Sequence, residues 1–538
     1  MSSTNKFETT LKNTLNNEVA FTENGAASYK TSGHKLLDLN FATSTLRNKS
    51  ESEVAKIFSE AYYENPLLAV KWMFFCRDIR SNGMGERRTF RICLKWLASI
   101  RPDLVKNLLR LISVYGRWDD LFCLITMKND DPVEDEVLAI IDEQWSSDVL
   151  LMKEGKSISL LAKWCPSINT SSPASVKLAK FFCKELSLSE KQYRKTLSAM
   201  RKYLNIVEQK MSAKEWNAIN YEQVPSKANL KYNTAFLRND ETRRCEFLSK
   251  LKNNETKINS SVNFPSDIVH EYIKDKNLNM IYYGHSFGLK TNYKIDPALE
   301  AMWKSLPDYI KDQTTGSTIV VADSSGSMTT TVGTGNMTAM EVAYSLAIYF
   351  AEKLNGPFAN KTITFSNRPQ YLDMSNAKTL VEKLGVMYSH SEVSDTNIEA
   401  VFDLILETAV RNNLTQDDVP SNVLIVSDME FNAAQGSYGY YADGSRYNAS
   451  QNALFKSIER KWTAKGYKLP RLVFWNVASR TGTIPLQQND NGVALVSGYS
   501  PAVAGMVFSA KLDPYEVLVD ALNVERYAPV EAAVKSII

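Results

Sequence analysis

Hydrophobic residues recur at two different spacings along the 538-residue chain. From residue 51 to about residue 244 the apolar positions lie three or four residues apart, as in Leu104, Leu108 and Ile112. This is the spacing of amphipathic helices. Short breaks rich in turn residues separate these stretches, and almost no alternating strand pattern occurs. The pattern predicts an all-α part built from stacked antiparallel helix pairs, as in HEAT-like repeats.

The pattern changes after Ser317. Short apolar runs rich in β-branched residues alternate with helical stretches, and the runs cover residues 319–322, 362–365, 423–426, 472–477 and 493–496. Strands that alternate with helices indicate a mainly parallel sheet covered on both faces. The second part is therefore predicted to be a doubly wound α/β domain.

These two patterns divide the chain into four predicted segments. Residues 1–50 form an N-terminal arm, within which the polar, glycine-containing stretch 21–40 is expected to be an ordered arm or loop. Residues 51–316 form the helical-repeat domain, whose weakly patterned end, 251–316, carries the last helices and a connector. Residues 317–510 form the α/β domain, and residues 511–538 form a helical tail.

The first α/β strand ends in a motif with metal-binding chemistry. The sequence DSSGSM places Asp323, Ser325 and Ser327 where a doubly wound sheet has its ligand crevice. Oxygen ligands without His or Cys suit Mg²⁺, with Mn²⁺ or Ca²⁺ as further candidates. The alternative is that these side chains only cap the following turn. Four histidines stand in the chain, and none adjoins the serines, so a Ser-His catalytic pair is not indicated.

DSSGSM resembles the metal-ion-dependent adhesion motif, D-x-S-x-S, of von Willebrand A domains. In that family a threonine on a later loop and an aspartate after the fourth strand complete the metal site. Thr396, just before a helical stretch, and Asp428, just after an apolar run, stand at the matching positions. The resemblance implies a five-residue Mg²⁺ site with an open coordination position, which can accept a carboxylate or phosphate oxygen from a partner.

Composition and charge limit the remaining possibilities. With 44% hydrophobic and 23% charged residues the chain is typical of a folded soluble protein. We find no long apolar run or secretory signal and expect a cytoplasmic protein with no membrane partner. All six cysteines lie in the first half, and we expect reduced, buried thiols. Residues 151–250 carry 19 Lys and Arg against 9 Asp and Glu, a local excess that nucleic-acid binding requires and solvated helix faces can also show.

Three stretches of the helical part look like more than scaffold. They are RDIRSNGMGERR from Arg77, YGRWDDL from Tyr115 and LLAKWCPS from Leu160. Together they resemble the TROVE module of the Ro autoantigen family, in which a ring of helical repeats is closed by a von Willebrand A domain. The resemblance covers roughly residues 50–510 and is nearest to an uncharacterised Ro-like family with virus-encoded members. It implies a ribonucleoprotein that binds small non-coding or misfolded RNA.

Clustered cations give the resemblance partial support from the residues themselves. Basic residues that could contact RNA lie at the glycine-rich turn, beside Trp118 and along one helix face; they are Arg80, Arg87, Arg117, Lys191, Arg194, Lys195, Arg201 and Lys202. Trp216, Tyr221 and Tyr232 are available for base stacking, with core packing as the alternative. Arg80 and Arg87 could equally pair with Asp78 and Glu86 in a structural turn.

The leading hypothesis is therefore a non-enzymatic RNA-binding protein with a Mg²⁺-dependent adhesion site for an acidic protein or an RNA. The alternative is a metal-dependent protein-interaction scaffold that binds no RNA. A hydrolase is the third hypothesis, because a hydrated metal beside carboxylates can activate water.

Overall fold

The computed structural model describes residues 19–127, 131–274, 280–283, 286–289, 294–313, 316–333, 335–433, 438–440, 446–448, 454–487 and 491–537. The chain divides into two compact units that do not follow its order. One comprises residues 1–68 and 263–523, and the other comprises residues 69–262 and 524–538. We call them the α/β unit and the helical unit.

A sheet of six strands organises the described part of the α/β unit. Its strands are β1 (Thr318–Asp323), β2 (Lys361–Phe365), β3 (Gln370–Asp373), β4 (Asn422–Ser427), β5 (Arg471–Asn476) and β6 (Val493–Ser497). Their order is β6-β5-β4-β1-β2-β3. All neighbours are parallel except β2 and β3. Strands β1, β5 and β6 are buried throughout, which explains why they read as apolar runs.

The prediction of a doubly wound α/β domain with a mainly parallel sheet is confirmed. The sequence pattern missed strand β3, because it is an edge strand with a single buried residue, Leu372. Shorter strands also occur in this unit; they are Val19–Phe21, Ala27–Tyr29, Met280–Tyr283, Ser286–Leu289, Ser391–Glu392, Tyr438–Tyr440 and Arg446–Asn448.

The α-helices of this unit are Lys35–Phe41, Thr43–Leu46, Glu51–Glu64, Pro265–Lys274, Pro297–Lys304, Ala339–Lys353, Leu380–Ser389, Ile398–Arg411, Leu454–Ala464, Ala504–Val507 and Pro514–Leu522. Single 3₁₀ turns lie at Gly326–Thr329, Gln416–Asp418 and Pro501–Val503. Helix Ala339–Lys353 is buried almost all round and packs against β1. Its N-terminus is fixed by a capping box between Thr338 and Glu341.

The prediction that residues 21–40 form an arm or loop is wrong for the last part of this stretch, from Lys35 onward. Helix Lys35–Phe41 begins inside this stretch and buries Leu36, Leu37 and Leu39. It packs against helix Glu51–Glu64 and strand β6. The polar residues and the glycine that precede the helix made the whole segment look irregular, although its last six residues already belong to the helix and carry a buried apolar face.

Helices make up most of the other unit. They are Pro66–Arg77, which starts three residues before the boundary, Arg87–Ile100, Pro102–Tyr115, Trp118–Leu121, Pro132–Lys153, Leu161–Trp164, Pro173–Glu185, Glu190–Tyr203, Val207–Ser212, Ser226–Asn239, Glu241–Lys252 and Ala528–Lys535. Short 3₁₀ turns lie at Phe122–Leu124, Trp216–Ala218, Tyr221–Gln223 and Glu525–Tyr527. The prediction of an all-α part is confirmed for residues 69–262.

Helix Pro102–Tyr115 lies at the centre of several helix contacts. It packs against Arg87–Ile100, Pro132–Lys153 and the C-terminal helix Ala528–Lys535. The apolar positions that predicted it, including Leu104, Leu108 and Ile112, are completely buried.

The predicted helical tail at 511–538 is divided between the two units. Helix Pro514–Leu522 belongs to the α/β unit, and residues 524–538 belong to the helical unit.

The structure also bears on the predicted buried thiols and on the expected lack of a membrane-spanning segment. Cys76, Cys93, Cys165 and Cys183 are buried free thiols, whereas Cys123 is half-buried and Cys245 is exposed, so the expectation of burial is wrong for Cys245. Among the described residues, no helix combines the length and the apolar character needed to cross a bilayer.

Candidate metal centre and nucleic-acid interface

Asp323 and Asp428 meet because they follow neighbouring parallel strands. Asp323 is the last residue of β1, and Asp428 comes directly after β4. In the register of this pair, Ala322 lies opposite Val426, so both strands end at the same edge of the sheet. Both carboxylates are buried. The five residues predicted from the sequence all lie at this edge or on the loops beside it.

Hydrogen bonds join three of the five predicted residues directly. The Ser325 amide donates to Asp323 Oδ1 at 2.8 Å, and the hydroxyl oxygens of Ser325 and Ser327 lie 3.1 Å apart. Ser327 also lies close enough to Asp428 for its side chain to lower the pKa of that carboxyl, against the effect of burial. The resulting cluster of two carboxylates and two hydroxyls presents oxygen atoms alone, as a hard cation requires.

Thr396 reaches the same region on a separate loop. It is buried and lies two residues before helix Ile398–Arg411. The Gly326 amide donates to the Ser394 carbonyl at 3.0 Å and ties this loop to the serine-containing turn. The Thr396 and Asn432 main chains also bind each other, through the Asn432 amide and the Thr396 carbonyl at 3.0 Å.

The two carboxylates are electrostatically unfavourable when no cation lies between them. Burial raises the pKa of Asp323, and the neighbouring Asp428 charge raises it further. Burial also raises the pKa of Asp428. A divalent cation would reverse both effects, because it offsets the desolvation and the mutual repulsion of the two charges. The donor set therefore fits Mg²⁺.

Several buried neighbours of the centre were not predicted. Ser427 donates from its hydroxyl to Asp323 Oδ2 at 2.5 Å and so fixes the orientation of that carboxylate. Glu430 is completely buried two residues after Asp428. Within the described residues no group of three or more His, Cys, Asp or Glu could hold a metal. A metal bound between Asp323 and Asp428 would therefore also need the hydroxyl oxygens of this centre as ligands.

The predicted RNA-binding residues of helix Glu190–Tyr203 differ in their surroundings. Lys191, Arg194, Lys195 and Lys202 are exposed, and the opposite face buries Tyr193, Leu197 and Met200. Arg201 is instead half-buried. Its guanidinium donates to the Ala162 carbonyl at 2.8 Å, to the Cys165 carbonyl at 2.6 Å and to Ser167 Oγ at 2.7 Å. These three bonds attach the helix to the loop of the LLAKWCPS motif.

The other three predicted arginines differ as well, and of these Arg87 belongs to an ion-pair cluster around helix Trp118–Leu121. Arg87 pairs with Asp119 at 2.7 Å, and the buried Arg77 pairs with Asp120 at the same distance. Arg117 lies over the Trp164 ring, 4.6 Å from its centroid. The Arg80 side chain is exposed. Arg87 therefore pairs with neither Asp78 nor Glu86, the partners that the sequence suggested.

The candidate stacking aromatics are mostly packed within the helical unit. Tyr221 is buried and donates to Asp240 Oδ2 at 2.7 Å. Trp216 and Tyr232 are half-buried, and the Tyr232 hydroxyl reaches Glu208 Oε1 at 3.2 Å. Core packing is therefore the role of Tyr221.

Fold and site together define a two-part class of protein, with a helical unit and an α/β unit whose sheet edge carries a cluster of hydroxyls and carboxylates. The chain belongs to the family described as a domain of unknown function (DUF2828), whose model matches residues 22–148 and 135–315, more than half of the sequence. A further model, described as a domain of unknown function (DUF7788), matches residues 317–522.

Two individual proteins are similar to the chain. "Uncharacterized protein L728" of Acanthamoeba polyphaga mimivirus is 27% identical over 541 residues, which cover 94% of this chain and 87% of the viral protein. It is a virus-encoded relative, as the sequence resemblance led us to expect. The crystal structure of the Deinococcus radiodurans Ro (RSR) protein is 12% identical with a TM-score of 0.35, covering 79% of this chain and 87% of that one. These two values are too low for the structural likeness to bear on function.

Proposed function

We propose that this protein is a non-enzymatic RNA-binding protein whose α/β unit carries a Mg²⁺-dependent adhesion centre. The observation that carries the metal part is the convergence of Asp323 and Asp428 at the carboxyl ends of β1 and β4, with Ser325 hydrogen-bonded to Asp323 and Ser327 hydrogen-bonded to Ser325. Thr396 supplies the fifth oxygen. A Mg²⁺ held there supplies a positive charge with exchangeable coordination positions.

The chemistry of the centre suits adhesion. Its two carboxylates only balance the charge of a divalent cation, and its hydroxyls are neutral, so the metal keeps its attraction for a further anionic oxygen. A carboxylate of a protein partner or a phosphate of an RNA would supply that oxygen. The residues of this chain hold the cation and leave the last position to the partner.

A separate observation favours RNA. Lys191, Arg194, Lys195 and Lys202 stand exposed on one helix whose opposite face is buried, so their charges face solvent together. Phosphate contacts of this kind release counterions, and binding therefore weakens as salt increases. The half-buried Arg201 is left out of this surface because its guanidinium is bound to main-chain carbonyls.

Filter binding with structured and single-stranded RNAs tests the RNA part. We expect affinity to fall with salt, and we expect the joint replacement of Lys191, Arg194, Lys195 and Lys202 by Ala to weaken binding and flatten the salt dependence. Each lost phosphate contact on single-stranded RNA should reduce the steepness of the plot of log affinity against log salt concentration by about 0.7. Replacement of the four exposed residues Lys304, Arg411, Lys465 and Lys468 by Ala is the matched control. Equal affinity of the two variants would exclude this helix as the RNA surface.

A pull-down from nuclease-treated lysate tests the adhesion part. We expect captured protein to be lost with EDTA and with Asp323→Ala. If capture depends on the metal and purified protein carries no RNA, the interaction scaffold without RNA becomes the better account. Nucleic acid that persists with the purified protein, and that leaves with the four-residue variant, supports the RNA-binding account instead.

A further inference from the structure

Two hydrogen-bond donors from distant parts of the α/β unit reach oxygens of the candidate metal centre. The Asn24 side-chain amide donates to Thr396 Oγ1 at 3.1 Å. The guanidinium of Arg480 lies with Nη2 3.6 Å from Asp428 Oδ2. Both side chains therefore approach oxygens of residues that are candidate metal ligands. Neither residue belongs to the five-residue motif.

A single buried residue, Glu430, holds the segments of both side chains in place. Glu430 accepts from the amides of Glu23 at 2.8 Å, Arg480 at 2.8 Å and Thr481 at 2.9 Å. Its main-chain carbonyl accepts from the Asn24 side chain at 2.5 Å. Residues 22–26 and 479–481 are therefore fixed to the same residue, two positions after a candidate metal ligand. We call these two segments the cover.

The Arg480 guanidinium is shared between two carboxylates. Its Nη2 lies 2.5 Å from Glu23 Oε2 and 3.6 Å from Asp428 Oδ2. A divalent cation on Asp428 would stand close to this guanidinium and repel it. Glu23 offers the guanidinium a second carboxylate partner, which the same Nη2 atom already contacts. Cation and guanidinium thus compete for Asp428, and Glu23 favours the cation by drawing the guanidinium away.

We propose that Arg480 is an internal competitor of the cation at the candidate metal centre, and that cation binding releases the cover formed by residues 22–26 and 479–481. This inference rests on the proposed metal centre. Because linkage is reciprocal, anything that moves the Arg480 guanidinium away from Asp428 raises the cation affinity, and a bound cation displaces this guanidinium from Asp428. A partner would then meet an accessible metal only after Arg480 and Asn24 have withdrawn.

Mn²⁺ binding to the full-length protein, followed by electron paramagnetic resonance, tests the competition. We expect Arg480→Gln to bind Mn²⁺ about tenfold more tightly than the unmodified protein, the equivalent of losing one moderate charge repulsion. Arg411→Gln, an exposed arginine paired with Glu407, is the matched control and should leave the affinity unchanged. Equal or weaker binding by Arg480→Gln would overturn the inference.

A double-mutant cycle separates the role of Glu23 from a general charge effect. Glu23→Gln should weaken Mn²⁺ binding, because Arg480 then has Asp428 as its remaining carboxylate. In the Arg480→Gln background the same substitution should have no effect. An equal loss in both backgrounds would mean that Glu23 acts independently of Arg480 and would contradict the proposal.

Hydrogen exchange supplies a readout that does not depend on the variants. Amides of residues 22–26 and 479–481 should exchange faster when Mn²⁺ is added to the unmodified protein, and unchanged exchange would overturn the release of the cover. Failure of the metal centre itself looks different: neither the unmodified protein nor Arg480→Gln would bind Mn²⁺, and the proposed adhesion centre would fall together with this inference.

Discussion

The Arg526 guanidinium and the Asp78 carboxylate form an ion pair of 2.9 Å within the helical unit, although 448 residues of chain separate them. Asp78 is completely buried, and Arg526 also lies over the Tyr115 ring, 4.3 Å from its centroid. The Tyr115 hydroxyl donates back to the Arg526 carbonyl at 2.6 Å. The end of the chain is thereby built into the helical unit.

We expect Arg526→Ala to lower the free energy of unfolding of the helical unit by about 3 kcal/mol, because the substitution leaves the buried Asp78 carboxylate without its cation. Arg411→Ala, which removes an exposed pair with Glu407, should cost less than about 0.5 kcal/mol. Urea unfolding monitored by circular dichroism measures both. A loss for Arg526→Ala as small as that of the control would show that the pair does not stabilise the unit.

Arg201 and Lys202 are adjacent in sequence and are expected to respond differently to substitution. Arg201→Ala removes three hydrogen bonds to residues 162, 165 and 167 and should cost about 2 kcal/mol of stability. Lys202→Ala removes an exposed side chain and should change stability by less than about 0.5 kcal/mol while weakening RNA binding. Thermal unfolding and filter binding of both variants test this division. Similar stability of the two would refute the structural role of Arg201.

His270 gives the α/β unit a pH dependence. The pKa of His270 is raised chiefly by its hydrogen bond to Glu341, at 2.5 Å, although partial burial acts against this. A histidine with a raised pKa stabilises the fold fully below its unfolded pKa of about 6.5, and that stability is lost as pH rises through the folded value. Glu271 and Lys274 are the other charges that influence it.

We therefore expect His270→Gln to destabilise the α/β unit by about 1 kcal/mol at pH near 5.5 and by much less well above the raised pKa of His270. Urea unfolding of both proteins at the two pH values measures the difference. His390, which lies exposed at the end of helix Leu380–Ser389, supplies the control substitution His390→Gln. A penalty that grows with increasing pH would contradict the assigned direction of the pKa shift.

Local patterns in the sequence predicted five of the six strands of the main sheet and much of the candidate metal centre. Strands β1 and β4 are buried apolar runs, so the positions of Asp323 and Asp428 at their ends followed from the pattern, and Thr396 followed from the family motif. Asn24, Glu430 and Arg480 could not be predicted in this way. Their hydrogen bonds join positions up to 407 residues apart, and such contacts leave no local spacing in the sequence.

Charge patterns were less informative than apolar patterns. Arg201 and Lys202 look alike on a basic helix, yet the first is attached to main-chain carbonyls and the second faces solvent. The same limit applies to Arg87, whose partner Asp119 lies 32 residues away. A charged residue on a helix face predicts exposure only when no carbonyl or carboxylate from another segment reaches it.

Stabilisation by Mg²⁺ tests the central claim most directly. A ligand that binds the folded state alone at a hundred times its dissociation constant stabilises it by about 2.7 kcal/mol. We predict that saturating Mg²⁺, compared with EDTA, raises the unfolding midpoint of the unmodified protein, and that Asp323→Asn abolishes this increase without lowering the midpoint in EDTA, because it removes one of two buried like charges. An unmodified protein that gains nothing from Mg²⁺, or a variant that gains as much, would contradict the account.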